Sequence, residues 1–164
     1  MFTVTPSRSQ RRHGLLARVT PLRFPDGQRY RRRNGSLYQV QRYFVEEQEL
    51  LYVVTFCLPR FLNLPFEEKL VTVFHELFHI SPYFNGDIRR HDGRCSKHSQ
   101  SKREYDEAMR ELVRQYLNSH NRPAVLGFLH STAAQLTASY GGITGVIVPR
   151  PLVVPVRRIG TLKV

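Results

Sequence analysis

Acidic residues are scarce in this chain: 13 Asp and Glu stand against 25 Lys and Arg across 164 residues, a formal net charge of +12. Cysteine is scarcer still, with only Cys57 and Cys95. Two thiols cannot build the dense disulfide framework of a small secreted scaffold, and their rarity suits a reducing cytoplasm. No run of eighteen apolar residues occurs, so no membrane-spanning helix is expected. The opening Met1-Phe2-Thr3-Val4-Thr5-Pro6 lacks the charged start and long apolar stretch of a secretory signal. No internal repeat is present. A chain of this length suffices for one domain with a real core and is short for two.

The positive charge is uneven. Residues 8–33 carry Arg8, Arg11, Arg12, Arg18, Arg23, Arg29, Arg31, Arg32 and Arg33 against Asp26 alone. With no sustained hydrophobic period, residues 1–34 read as a basic, flexible N-terminal arm. Arginines in such an arm can neutralise phosphates, so nucleic acid is a candidate partner; a merely solvated leader is the plainer reading. Asn34-Gly35 is a turn signal that marks the expected start of ordered structure.

From there the pattern turns apolar. Ser36 to Val45 and Leu50 to Leu58 read as two strands, with Glu46-Glu47-Gln48-Glu49 as an exposed hairpin loop and antiparallel pairing between them. Pro65 suits a first helical turn, and Glu67 and Glu68 complement the positive end of a helix running from about Phe66 to Ile80. Residues 83–100 form a long polar loop. Ser101-x-x-Glu104 is a capping box opening a second helix to Asn118, with an apolar stripe of Tyr105, Ala108, Met109, Leu112, Val113, Tyr116 and Leu117. A third helix is expected over Arg122 to Leu136. The Val- and Pro-rich end, 141–164, reads as extended edge strands or tail. The expected architecture is α+β, a small domain over 35–140: an antiparallel strand pair, a motif helix, a long site loop and two further helices.

The motif is His75-Glu76-Leu77-Phe78-His79. Imidazoles four residues apart on a helix lie one turn above each other and can share one Zn²⁺. Glu76 sits where a carboxylate reaches a metal-held water rather than the metal, as general base of a metalloprotease. A satisfied core histidine beside a surface Glu would be the bland alternative, but the apolar flanks Leu70 to Phe74 make three unsatisfied polar groups costly there. A catalytic zinc takes a third protein ligand. Gly and His are missing at 82 and 85, where Pro82 and Asn85 stand, so the metzincin extension is excluded. Glu104, Glu107 and Glu111 are possible carboxylate ligands, although Glu104 is also the capping-box partner and the others suit a surface row with Arg103, Arg110 and Arg114. His98, just before the second helix, is the leading candidate; His91, beside Asp92, is the alternative, and Cys95 remains open. Tyr83, Tyr105 and His91 are candidates to meet a developing oxyanion. Asp87 could orient a ligand or belong to an ordinary turn. Arg89 and Arg90 could bind a substrate carboxylate or pair with acids.

Leu58-Pro59-Arg60-Phe61, the run His75 to Pro82 and the run Phe84 to Arg90 together resemble a group of small bacterial and phage metallopeptidases. They are more distantly similar to SprT-like zincins, and the close resemblance covers about residues 36–118. The resemblance implies a zincin-like fold, Zn²⁺, a general base at Glu76, a third histidine at His98 or His91, and a protein or peptide substrate. SprT-like proteins act on proteins attached to DNA, an analogy that would suit the basic leader. A rival class is a non-catalytic, zinc-stabilised nucleic-acid-binding protein. Oligomeric state is not legible.

Overall fold

The computed structural model describes residues 1–7, 14–90, 102–118 and 124–156. The chain is α+β, built on a strand whose composition demands burial on both sides. Tyr52-Val53-Val54-Thr55-Phe56-Cys57-Leu58 is β-branched and aromatic, and it forms the central strand of a three-stranded sheet. We number the strands in chain order, which makes it β7 (Tyr52–Leu58). Its neighbours both come from the leader. β1 (Phe2–Pro6) pairs parallel, with Phe2 opposite Val54, and β2 (Ala17–Pro21) pairs antiparallel, with Val19 opposite Val54. The expectation of a free basic arm over 1–34 is therefore corrected for its described part. Each edge strand is five residues long and interrupted by Arg, Thr or Pro, too short to show a period, and each finds its partner more than thirty residues away.

A second sheet, ordered β3-β4-β8, comprises β3 (Tyr30–Arg33), β4 (Ser36–Val40) and β8 (Val153–Pro155). Asn34 and Gly35 both take positive φ, 48° and 75°, which suits the tight turn between β3 and β4. That turn lies within ordered structure rather than at its start. The expected pairing of 36–45 with 50–58 gives way to a two-residue hairpin, β5 (Phe44–Val45) with β6 (Gln48–Glu49), whose second strand falls in the expected loop. β4 pairs instead with β3 and β8, and β7 goes to the other sheet. Competition explains the difference: β1 and β2 occupy both edges of β7.

Glu49 is likewise no free loop residue. Arg23 and Arg42 donate to its Oε1 at 2.7 and 2.8 Å, and Arg29 to its Oε2 at 2.9 Å. The acid so ties the leader to the β5–β6 hairpin.

Helix α1 (Phe66–Phe78) starts after Pro65 as expected and stops two residues early, with His79 as its cap residue. It packs on α2 (Lys102–Asn118), whose Tyr105, Met109 and Val113 are buried, in keeping with the stripe read from sequence. Ser101, and with it the capping box, lies outside the described residues. The core gathers Phe61, Leu62, Leu70, Val113, Leu129 and Ala133. The expected third helix is broken in two. A 3₁₀ segment, Ala124–His130, ends before Thr132, which caps α3 (Ala133–Tyr140) in a reciprocal box with Gln135. Lys69 of α1 is 1% exposed, and its Nζ donates to the carbonyls of Leu129 and Ser131 at 2.7 and 2.8 Å, fastening α1 to that break. No described helix is long and apolar enough to cross a membrane.

Candidate metal centre

The C-terminal half of α1 carries the motif. His79 caps the helix at φ −71° and ψ −15°, still right-handed helical backbone, so the i,i+4 relation to His75 is kept. The two imidazole centroids stand 4.8 Å apart with planes at 79°. Two rings holding one zinc at ~2.0–2.1 Å under a near-tetrahedral angle place their centroids about 5 Å apart. The pair fits a shared divalent ion on that measure.

Tyr105 of α2 closes the other side. Its ring meets His75 edge-on at 4.9 Å and lies nearly parallel to His79 at 6.2 Å. It is 4% exposed. Burial first, and then the charge of Glu76, push its phenol up to about 12. At neutral pH this hydroxyl is protonated, a donor and not a base.

Glu76 is 8% exposed, turned inward against the sheet. Burial pushes its carboxyl up to about 7, opposed by a hydrogen bond with the Val19 backbone. The register explains why Val19 is available. Leu22 donates to Leu51 and Cys57 donates to Leu16, so alternate residues of β2 face β7, and Ala17 and Val19 turn their backbone groups to the open edge. One edge amide thus addresses the one carboxylate of the motif. A carboxyl poised near neutrality by desolvation is what general acid–base chemistry uses.

The chain leaving α1 is pinned back onto it. Arg89 N–H donates to the His79 carbonyl at 2.7 Å, and Ile80 bridges Ile88. Between them Gly86 takes φ +87°, and a Cβ there would collide with the Arg23 side chain, so glycine is required. Arg23 N–H donates to Gly86 O, while Tyr52 Oη accepts from Gly86 N–H and donates to Asp87 O.

Asp87 accepts from the N–H groups of Asp26 and Ile88, both at 2.8 Å, and from the Arg90 guanidinium at 3.2 Å. Burial works to raise its pKa, yet Arg90 and the two amides outweigh it and hold the carboxyl below its ordinary value. Its oxygens are engaged by the turn, so the ligand-orienting role considered from sequence is not what the structure gives it. Arg90 pairs with Asp87, and Arg89 lies 4.0 Å above the Phe78 ring. The acid that Arg90 pairs with thus stands three residues before it in the chain. Tyr83 is 86% exposed and is no part of the buried cluster.

On α2, Glu107 and Glu111 pair with Arg114 on the outer face, and Glu104 is exposed. Glu107 and Glu111 share Arg114 as the sequence suggested, while Arg110 turns to Glu68 of α1. His91, Asp92, Cys95 and His98 lie outside the described residues. Among the described residues, no group of three His, Cys, Asp or Glu comes together to hold a metal. His75 and His79 thus bring two imidazoles together, where a catalytic zinc takes three protein ligands. Sequence reasoning missed Val19, Lys69 and the Glu49 cluster; each depends on a partner distant in the chain.

No family model, no curated protein and no solved structure matches this chain.

Proposed function

We propose that the protein is a zinc-dependent metallopeptidase with a zincin-like arrangement around α1, working in the cytoplasm on protein or peptide substrates. The observation that carries this reading is the conjunction on one helical turn of a His75–His79 pair 4.8 Å apart and a buried Glu76 tuned to about 7. His75 and His79 hold the metal, with His98, or alternatively His91, as third ligand. Bound Zn²⁺ supplies Lewis acidity to a water and to the scissile carbonyl. Glu76 would take a proton at its carboxylate and return it to the leaving amine. Tyr105, with its proton held far above neutrality, is the described side chain suited to donate to a developing oxyanion.

The test compares wild type with Glu76→Gln on an unfolded protein substrate in the presence of zinc. Cleavage by the first and not by the second, at equal metal content, supports the reading. Equal turnover falsifies the role of Glu76.

One observation favours the second reading, a zinc-stabilised nucleic-acid-binding protein. Glu49 takes up Arg23 and Arg29, but Arg31, Arg32 and Arg33 stand exposed on β3 beside Tyr30. Phosphate contacts from such a strand would give steeply salt-dependent affinity for oligonucleotides, and four protein ligands on the metal rather than three.

A further inference from the structure

The face of the first sheet turned away from α1 carries a pocket that the metal reading leaves unused. Phe56 and Leu58 pack with the core beneath α1, so alternation along β7 sends Cys57 to the opposite side. There a cavity of about 490 Å³ opens, floored by Cys57 and walled by the end of β1, by β2 and by the extended segment 147–150. Its described lining includes Arg18, Arg60 and Arg150 and no Asp or Glu.

Four further observations make it a built site. Ser7 lines the cavity, and its Oγ is buried with no hydrogen-bond partner. Ser7 is held in place, since its N–H donates to Leu58 O at 2.7 Å. Gly14 packs against the Arg60 guanidinium, the far end of a flexible side chain, which a Cβ there would displace. The roof is anchored as well: Val4 N–H donates to Val146 O, and Tyr43 Oη donates to Pro149 O, both at 3.2 Å.

Guanidinium forks match the oxygens of carboxylates and phosphates in shape and charge. Arg18, Arg60 and Arg150 around one cavity, with no acid in its described lining, suit an anion of more than one charge. The remaining wall, Leu15, Ile147 and Val148, is apolar. Small-ligand pockets span about 300–1,000 Å³, and this one falls within that range. We propose that it binds a small phosphorylated molecule of mononucleotide size, with the phosphate between Arg18, Arg60 and Arg150, the Ser7 hydroxyl on a phosphate oxygen, and the organic part against the apolar wall.

Calorimetric titration of the full chain with adenosine monophosphate, inorganic phosphate and a single-stranded oligonucleotide tests this, with metal present and with metal removed. The expected result is saturable binding of adenosine monophosphate with Kd below about 1 mM, tighter than inorganic phosphate and indifferent to the metal. Arg18→Gln and Arg150→Gln should each weaken it by about tenfold or more. Both side chains are at the surface, so neither variant should shift thermal unfolding. Ser7→Ala should weaken binding several-fold. Absence of binding by the wild type overturns the proposal, as does undiminished affinity in both arginine variants. Binding of the oligonucleotide without adenosine monophosphate overturns it too, and would mark the face as a nucleic-acid track. None of these outcomes depends on hydrolysis or on Glu76, so the proposal and the metallopeptidase reading fail separately.

Discussion

Two largely buried glutamates in this molecule have opposite fates. Glu49, whose side chain is 14% exposed, is ringed by Arg23, Arg29 and Arg42, and hydrogen bonds from Arg23 and then Arg42 draw its carboxyl down to about 2. Glu76 is at least as buried, but it faces apolar surroundings and one backbone amide, and burial pushes it up to about 7. The residue type is the same, and the neighbours decide the role. A carboxylate surrounded by guanidinium groups is permanently charged and serves as a rivet between segments. One without a guanidinium beside it can gain and lose a proton near neutrality, the property that general acid–base chemistry uses.

Substitutions can break that contrast, and the largest effect should come at Glu76. Glu76→Gln preserves shape and removes the titrating group; kcat should fall by about 10²–10⁴ while bound metal stays at the wild-type level, checked by steady-state kinetics with metal analysis. Tyr105→Phe deletes one hydroxyl beside the histidine pair. Its kcat should drop by about 10²-fold with KM little changed, if the phenol meets the oxyanion; a purely packing role would leave kcat alone.

On the other side of the contrast, Glu49→Gln should leave turnover intact and destabilise the fold by about 2 kcal/mol at pH 7, since Arg29 and Arg42 are partly exposed and their pairing is screened. The pH dependence has a definite sign. The folded pKa lies below the unfolded one, so the stabilisation is present above about pH 4.5 and is lost as pH falls through about 2. Urea unfolding of wild type and variant should therefore converge on acidification. The smallest effect belongs to Asp87→Asn, which weakens the Arg90 pairing and the amide hydrogen bonds of the 85–87 turn. A loss of about 1 kcal/mol in urea unfolding is expected, with metal content unchanged.

How much of this could be read in advance follows the distance between partners. α1, α2 and β7 were legible because each announces itself within a dozen residues: Pro65 with its following acids, the Tyr105–Met109–Val113 stripe, and the β-branched run of β7. β1 and β2 were not. Phe2 lies opposite Val54 and Ala17 opposite Phe56, and nothing local in an Arg-studded segment reveals such pairings. The same holds for Val19, whose value to Glu76 exists only because a strand edge happens to lie along the helix. The break between the 3₁₀ segment and α3 was in plain view as Thr132-x-x-Gln135, a capping box overridden by the apolar period on either side. At the centre itself the motif gave His75, Glu76 and His79 directly, since helical spacing alone sets their relation. A third ligand would depend on long-range closure, which spacing does not determine.

X-ray absorption at the zinc edge on the purified chain, beside its His75→Ala variant, reads out whether His75 and His79 grip a zinc ion. The account requires about one zinc per chain with at least two imidazoles in its coordination shell, and loss of that ion from the variant. A chain that takes up no zinc, or an unaltered spectrum after His75→Ala, would contradict it.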